Sequence, residues 1–191
     1  MAGAKRDIDH LQGRLLIAMP TMQDPRFQRS VIYICAHSAT GAMGLVVNKP
    51  IAGVSFPDLL RQLGIESSSG GPSIRIHNGG PVEPGRGFVL HSTDYLREAT
   101  LLIGSQFGLT ATLDVLKAIA EGHGPRQSLL ALGYAGWGPG QLDTEIQANG
   151  WLLAPATESL LFGRDDGRKW QAALDAIGIN PEKLSSEAGH A

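Results

Sequence analysis

The sequence holds a single cysteine, Cys35, in 191 residues, so no disulfide can form within the chain, and a reducing compartment suits it. Charge is scarce as well. Asp, Glu, Lys and Arg make up 18% of the residues, against about 25% in an average soluble domain. With 42% hydrophobic residues, this is not the composition of a disordered, solvated chain. No apolar run approaches the roughly 20 residues a membrane span needs. The short run Leu15–Met19, entered past Asp7 and Asp9, is no signal-peptide core. The cytoplasm is the expected location. Neither sign of charge dominates. Sixteen Lys and Arg stand against eighteen Asp and Glu, for a net charge of −2. The basic residues are scattered, which argues against a nucleic-acid partner, because phosphate neutralisation supplies most of that affinity. Motifs of known chemistry are missing too: there is no G-x-S-x-G, H-E-x-x-H, C-x-x-C or EF-hand loop, and no cofactor is expected.

What the chain does have is glycine, 25 residues without a fixed period. That reads as many tight turns and close backbone approaches in one domain. Apolar and β-branched runs at Leu15–Met19, Val31–Ala36 and Gly44–Asn48 read as strands, the last two joined as a hairpin. Ser55, Pro57 and Asp58 mark a helix start, and Gly64 its stop. Further strands are expected at Ile74–His77, Gly87–His91, Thr100–Gly104, Leu129–Ala135 and Trp151–Ala154. Helices are expected at Leu109–Glu121, at Gln141–Asn149, as a short turn at 158–162, and at 166–177 with Trp170 inward. The irregular order implies an α+β fold: a single compact domain with a mixed, largely antiparallel sheet, barrel-like in one form, and about four to five helices. A loose arm at 1–12 and a tail at 179–191 flank the domain at 13–178, and residues 66–72 form a flexible loop.

Several polar loops are candidates for a site. Asp24 and Arg29 lie in the loop before one predicted strand, and Asn48 and Lys49 lie just after the next. The four are expected to meet at one end of a sheet, as a small-ligand pocket or as a structural ion-pair network. His77 and Asn78 open a second loop that Arg86 closes. Strand alternation puts His77 on the face of Arg75, at a surface or cleft. His91 ends the neighbouring strand, but two imidazoles fall short of a metal site. In the third loop, Trp137 lies within a turn at 133–140 that resembles a phosphate loop, and Gln141 follows it. Its spacing fails, since Gln141 stands where G-x-G-x-x-G needs glycine, and no GK[ST] follows. Cys35 and His37 share a strand face but stand too far apart for a nucleophile–base pair, and a buried, inert thiol is expected.

The segments GRLLIAMP (13–20), DPRFQRSVIYICAH (24–37), GAMGLVVNKP (41–50), GGPVEPGRGFVLH (79–91), GYAGWGPGQLDTEI (133–146) and NGWL (149–152) together resemble the AlgH/YqgE family over about residues 13–178. The resemblance implies a compact bacterial cytosolic protein with a mixed α/β fold and no established biochemical activity. One member's name implies a link to control of alginate production. Three functions follow as expectations, in this order. The first is a non-enzymatic binding or regulatory protein with a protein or small-molecule partner, affecting transcription indirectly. The second is an enzyme of unrecognised type, with a pocket built from 20–29, 48–50, 77–86 and 137–141. The third is a DNA-binding regulator, weakened by the lack of a basic helix: 109–121 holds only Lys117, and 141–149 holds no basic residue.

Overall fold

A computed structural model describes residues 11–66 and 74–183. The expected arm, the 66–72 loop and the tail lie wholly or largely outside these residues. The chain runs β1 (Arg14–Ala18), β2 (Val31–Ser38), β3 (Gly41–Val46), α1 (Phe56–Gln62), β4 (Ile76–Asn78), β5 (Val82–Ser92), β6 (Leu101–Ile103), β7 (Phe107–Thr110), α2 (Leu113–Ala120), β8 (Ser128–Trp137), α3 (Gln141–Gln147), β9 (Trp151–Pro155), α4 (Glu158–Phe162) and α5 (Asp166–Ala176). The nine strands form one curled sheet in the order β6-β7-β5-β8-β3-β2-β1-β9, with β4 beside β8. Among the described residues only the β4–β8 pairing of strands is parallel, so the sheet is mixed and largely antiparallel. It stops short of a barrel, because β6 and β9 remain edges.

Both faces of the sheet are covered, which explains the near-continuous apolar runs of its central strands. On β1, Leu15 and Ile17 enter one core with Trp170 and Leu174 of α5. Leu16 and Ala18 enter another with Trp137, Leu142 and Trp151. β2 divides in the same way, Val31, Tyr33 and Cys35 against Ile32 and Ile34. A third core lies under α1 and α2, around Phe56, Leu60, Val115 and Ile119.

One expected helix was too long at its start. Phe107–Thr110 is strand β7, paired with β5 and β6, and α2 begins at Leu113 after the cap position Thr112. The helical spacing of Leu109, Leu113 and Leu116 is accidental. Leu109 is buried from a strand, whereas Leu113 is 48% exposed. The long-range pairing of β7 outweighs a local period. The 78–86 loop is also shorter than expected, because β5 already starts at Val82 and carries a bulge between Val82 and Gly87. The crossing of this segment with β8 needs glycine. A Cβ on Gly80, whose φ is +152°, would lie 2.1 Å from the Tyr134 carbonyl carbon.

Candidate functional site

The segment 46–51 runs beside β4, with Asn78 N–H donating to Lys49 O at 2.8 Å and Ile51 N–H to Ile76 O at 2.8 Å. This pairing brings two sequence-distant loops together. Alternation along the chain sends Ile76 into the core under α1 and α2 and turns Arg75 and His77 the other way, as expected. The expected surface position of His77 is wrong: it is 2% exposed. The first turn of α5 covers it, and His77 Nε2 lies 3.1 Å from Asp166 Oδ2. A contact spanning 89 residues leaves no local trace in the sequence.

Asp166 is the centre of a buried charge network. Its Oδ2 also receives Arg75 Nη1 at 2.6 Å, and its Oδ1 lies 2.9 Å from Lys169 Nζ. Lys169, one turn along α5, is 3% exposed and donates to the carbonyls of Val47 at 2.9 Å and Leu161 at 2.8 Å. Burial raises the carboxyl pKa of Asp166, but hydrogen bonds from His77 and Lys169 and the charge of Lys169 outweigh it, so the net direction is down. Burial pushes the Lys169 ammonium down, against the opposing pull of Asp166. His77 Nδ1 is buried without a hydrogen-bond partner among the described residues.

The loop 20–29 holds the second cluster. Asp24 and Arg26 pair at 2.7 Å. The hydrogen bonds from Arg26 hold the Asp24 carboxyl below its ordinary range. Lys49 Nζ donates to Arg26 O at 3.3 Å, and burial lowers its pKa while Asp24 opposes that shift. Asn48 is committed to structure: its Oδ1 accepts from Val31 N–H at 2.9 Å, and its Nδ2 donates to Arg29 O at 2.8 Å. Arg26, Lys49 and Asn78 border a notch of about 90 Å³ with Gly80 and Pro81. Three of the four loops expected to build one pocket, 20–29, 48–50 and 77–86, therefore do meet. The fourth lies elsewhere. Trp137 and Gln141 both donate to Glu145, at 3.3 and 2.9 Å, and Gln141 Oε1 accepts from Gly138 N–H at 3.0 Å. Arg86 stands apart, exposed, over the Phe88 ring and paired with Glu83 at 3.4 Å.

Arg29 faces the other way, into a cleft of about 930 Å³ that is open to solvent. Its backbone has φ +56°, an unusual conformation for a residue with a Cβ. Its guanidinium lies 4.8 Å from the centre of the Trp170 ring. The Trp170 indole N–H donates to Ala18 O at 2.8 Å, which fixes the ring against β1. Gln28 and Met22 continue one wall, and Gln171 and Asp175 of α5 the other. Sequence reasoning found Arg29 but assigned Trp170 wholly to the core. The exposed polar residues of α5 were a weak signal, since most helices carry such a face.

The catalytic prospects are limited by burial. Thr110 Oγ1 lies 2.8 Å from His91 Nε2, a hydroxyl–imidazole pair, but the two residues are 1% and 0% exposed. His91 Nδ1 is held by Ser92 O at 2.8 Å, and Thr110 Oγ1 also meets Thr100 Oγ1 at 2.9 Å. The hydroxyl is fully engaged within the fold. Cys35 is fully buried, and burial pushes its thiol up to about 12, while His37 lies 3.6 Å from Asp143. The described residues contain no group of three or more His, Cys, Asp or Glu placed to hold a metal. None of their helices is long and apolar enough to cross a membrane.

Comparison with known proteins adds the wider setting. A model of the family described as AlgH-like matches residues 15–182. A UPF0301 protein of Cereibacter sphaeroides is 58% identical over 182 residues, covering 95% of this chain and 99% of the relative. One from Afipia carboxidovorans is 58% identical over 190 residues, covering 95% and 90%. The solution structure of the AlgH protein from Pseudomonas aeruginosa superposes with a TM-score of 0.76 at 42% identity, covering 95% of this chain and 96% of that one. A Corynebacterium diphtheriae protein shares the fold, with a TM-score of 0.71 at 21% identity over 90% and 89% of the two chains.

Proposed function

The chain belongs to the AlgH-like family, and from that premise we propose that it is a non-enzymatic binding protein, holding a segment of a partner protein in the cleft between residues 20–29 and α5. The observation that carries this reading is Arg29 laid over Trp170 in an open cleft of about 930 Å³. Small-molecule sites are enclosed and mostly apolar. This cleft is open and lined by both polar and apolar groups: Gln28, Arg29 and Gln171 beside Pro20, Met22 and Ile179. Such a lining suits an extended peptide, with Trp and Arg as the anchors that dominate protein interfaces. The protein works in the cytoplasm on this reading, where its one thiol stays reduced. A regulatory role, the expectation drawn from the family resemblance, would follow from the partner and act on transcription indirectly. Nucleic acid is not the partner, because the scattered basic residues supply no stripe to follow a phosphate backbone.

A photo-crosslinking residue in place of Gln171, introduced into the full chain in cells, tests the proposal. The expected product is one discrete adduct, whose purified partner shifts the Trp170 indole N–H resonance on titration. A partner that binds without moving that resonance removes the cleft from consideration. The small-ligand alternative, including an enzyme of unrecognised type, rests on the 90 Å³ notch at Arg26, Lys49 and Asn78. It predicts instead that a metabolite raises the melting temperature and that Lys49→Ala abolishes the rise.

A further inference from the structure

A second polar pocket, of about 260 Å³, opens where the residues before β4 meet the start of β8 and the α4–α5 connection. Three arginines line it, Arg75, Arg126 and Arg164, above a floor of Ile74, Ile119 and Phe162. They come from segments about 50 and 40 residues apart, so no local motif gathers them. The last carbonyls of α2 border this region but are engaged by the chain itself. Ala118 O accepts from His123 N–H at 2.8 Å, and Ile119 O from Gly122 N–H at 3.2 Å.

Arg75 is held as if aimed. Its Nη1 donates to Arg164 O and to Asp166 Oδ2, and its Nη2 donates to Gly163 O at 2.9 Å. A guanidinium has five N–H groups, and three are used here. Nε–H and one N–H of Nη2 have no partner among the described residues. These donors sit on adjacent nitrogens, the arrangement that grips an oxyanion with two parallel hydrogen bonds. The surrounding charge is also incomplete. Arg75, Arg126, Arg164 and Lys169 are four cations. The carboxylates bonded to them are three: Asp166 to Arg75 and Lys169, Glu158 to the Arg126 side chain, and Asp94 to Arg126 N–H. Asp166 is shared between two cations, and Arg164 has no carboxylate partner among the described residues. One positive charge is left over beside a pocket large enough for a phosphate group and a small organic substituent.

We propose that Arg75, Arg126 and Arg164 form a binding site for a small phosphate dianion, free or as a phosphomonoester. The site lies apart from the Arg29–Trp170 cleft and is independent of the function proposed above. Arg75 supplies the rigid fork, held by Asp166 and two carbonyls. Arg126 and Arg164 close on the ligand from the rim, Arg126 exchanging its exposed contact with Glu158 for the stronger negative charge of the phosphate.

The test titrates the full chain at fixed ionic strength with inorganic phosphate and, separately, with glycerol 3-phosphate, using chloride as the reference. Binding is read from the Arg75 Nε–H resonance and by calorimetry. Saturable binding that shifts this resonance is expected, and the Arg126→Ala/Arg164→Ala double variant should weaken it about tenfold or more, since each charge-assisted bond contributes on that scale. Tighter binding of glycerol 3-phosphate identifies the ligand as a phosphomonoester, and equal binding identifies free phosphate; both support the site. The melting temperature of the double variant controls for folding, and if it falls, the single Arg164→Gln change carries the same reading. No saturable shift with either probe, or affinity unchanged in a folded variant, overturns the proposal.

Discussion

The protein places mixed charges together in two regions, at the start of α5 and in the loop 20–29, and the two differ in kind. At α5, the Asp166 and Lys169 side chains are each 3% exposed, and Asp166 is bonded across the fold to Arg75 and His77, Lys169 to Val47 O. In the loop, the Arg26 side chain is 62% exposed and that of Asp24 is 31% exposed, and the pair is local. Residue types and distances are alike. Burial makes the difference, because removing water raises both the strength of a made interaction and the cost of an unmade one. The lesson is that mixed charge in a sequence names a place of interest without saying whether it serves the fold or a ligand.

Four measurements sharpen that contrast. Asp166→Ala leaves Lys169 and part of Arg75 without a counter-charge in a dry site, and should cost about 3–5 kcal/mol in urea unfolding. Lys169→Met should cost less, about 1–3 kcal/mol. Asp166 keeps Arg75 and His77, and the main loss is the donor to the Val47 and Leu161 carbonyls. Equal effects from the two changes would show that the network is not short of negative charge. The third measurement is pH dependence. The folded carboxyl of Asp166 lies below its unfolded value, so its stabilisation is complete above the unfolded value of about 4 and is lost as pH falls through the folded one. Subtracting an Asp166→Asn profile from that of the parent should leave a difference that shrinks only below about pH 4. Asp24→Ala is the smallest, with a melting temperature expected within about 2 °C of the parent. A large loss there would move the loop cluster into the structural class.

Much of the fold is legible from local pattern. β1, β2 and β9 announce themselves by apolar runs, and α1 by its reciprocal cap, with Ser55 accepting from Asp58 N–H and Asp58 accepting from Ser55 N–H. β7 is not legible, because Leu109 fits a helical stripe while its ladder partners sit on β5 and β6. The candidate site divides along the same line. Asn48, Lys49 and Asp24 fall together because they flank one hairpin. The partnership of His77 with Asp166, and that of Arg29 with Trp170, join residues 89 and 141 positions apart. No spacing rule reaches so far. Arg75, Arg126 and Arg164 are invisible for the same reason: a net charge of −2 averages away a local excess.

β8 is the common neighbour of β3, β4 and β5, although it lies some 36 residues or more downstream of all three. A ribosome making this chain releases those earlier strands while the strand that will join them is still being translated. Their open backbone edges must wait in the crowded cell, and only the arrival of residues 128–137 lets the sheet zip shut. Slow codons just ahead of β8 are therefore expected to lengthen the time those edges stay unpaired.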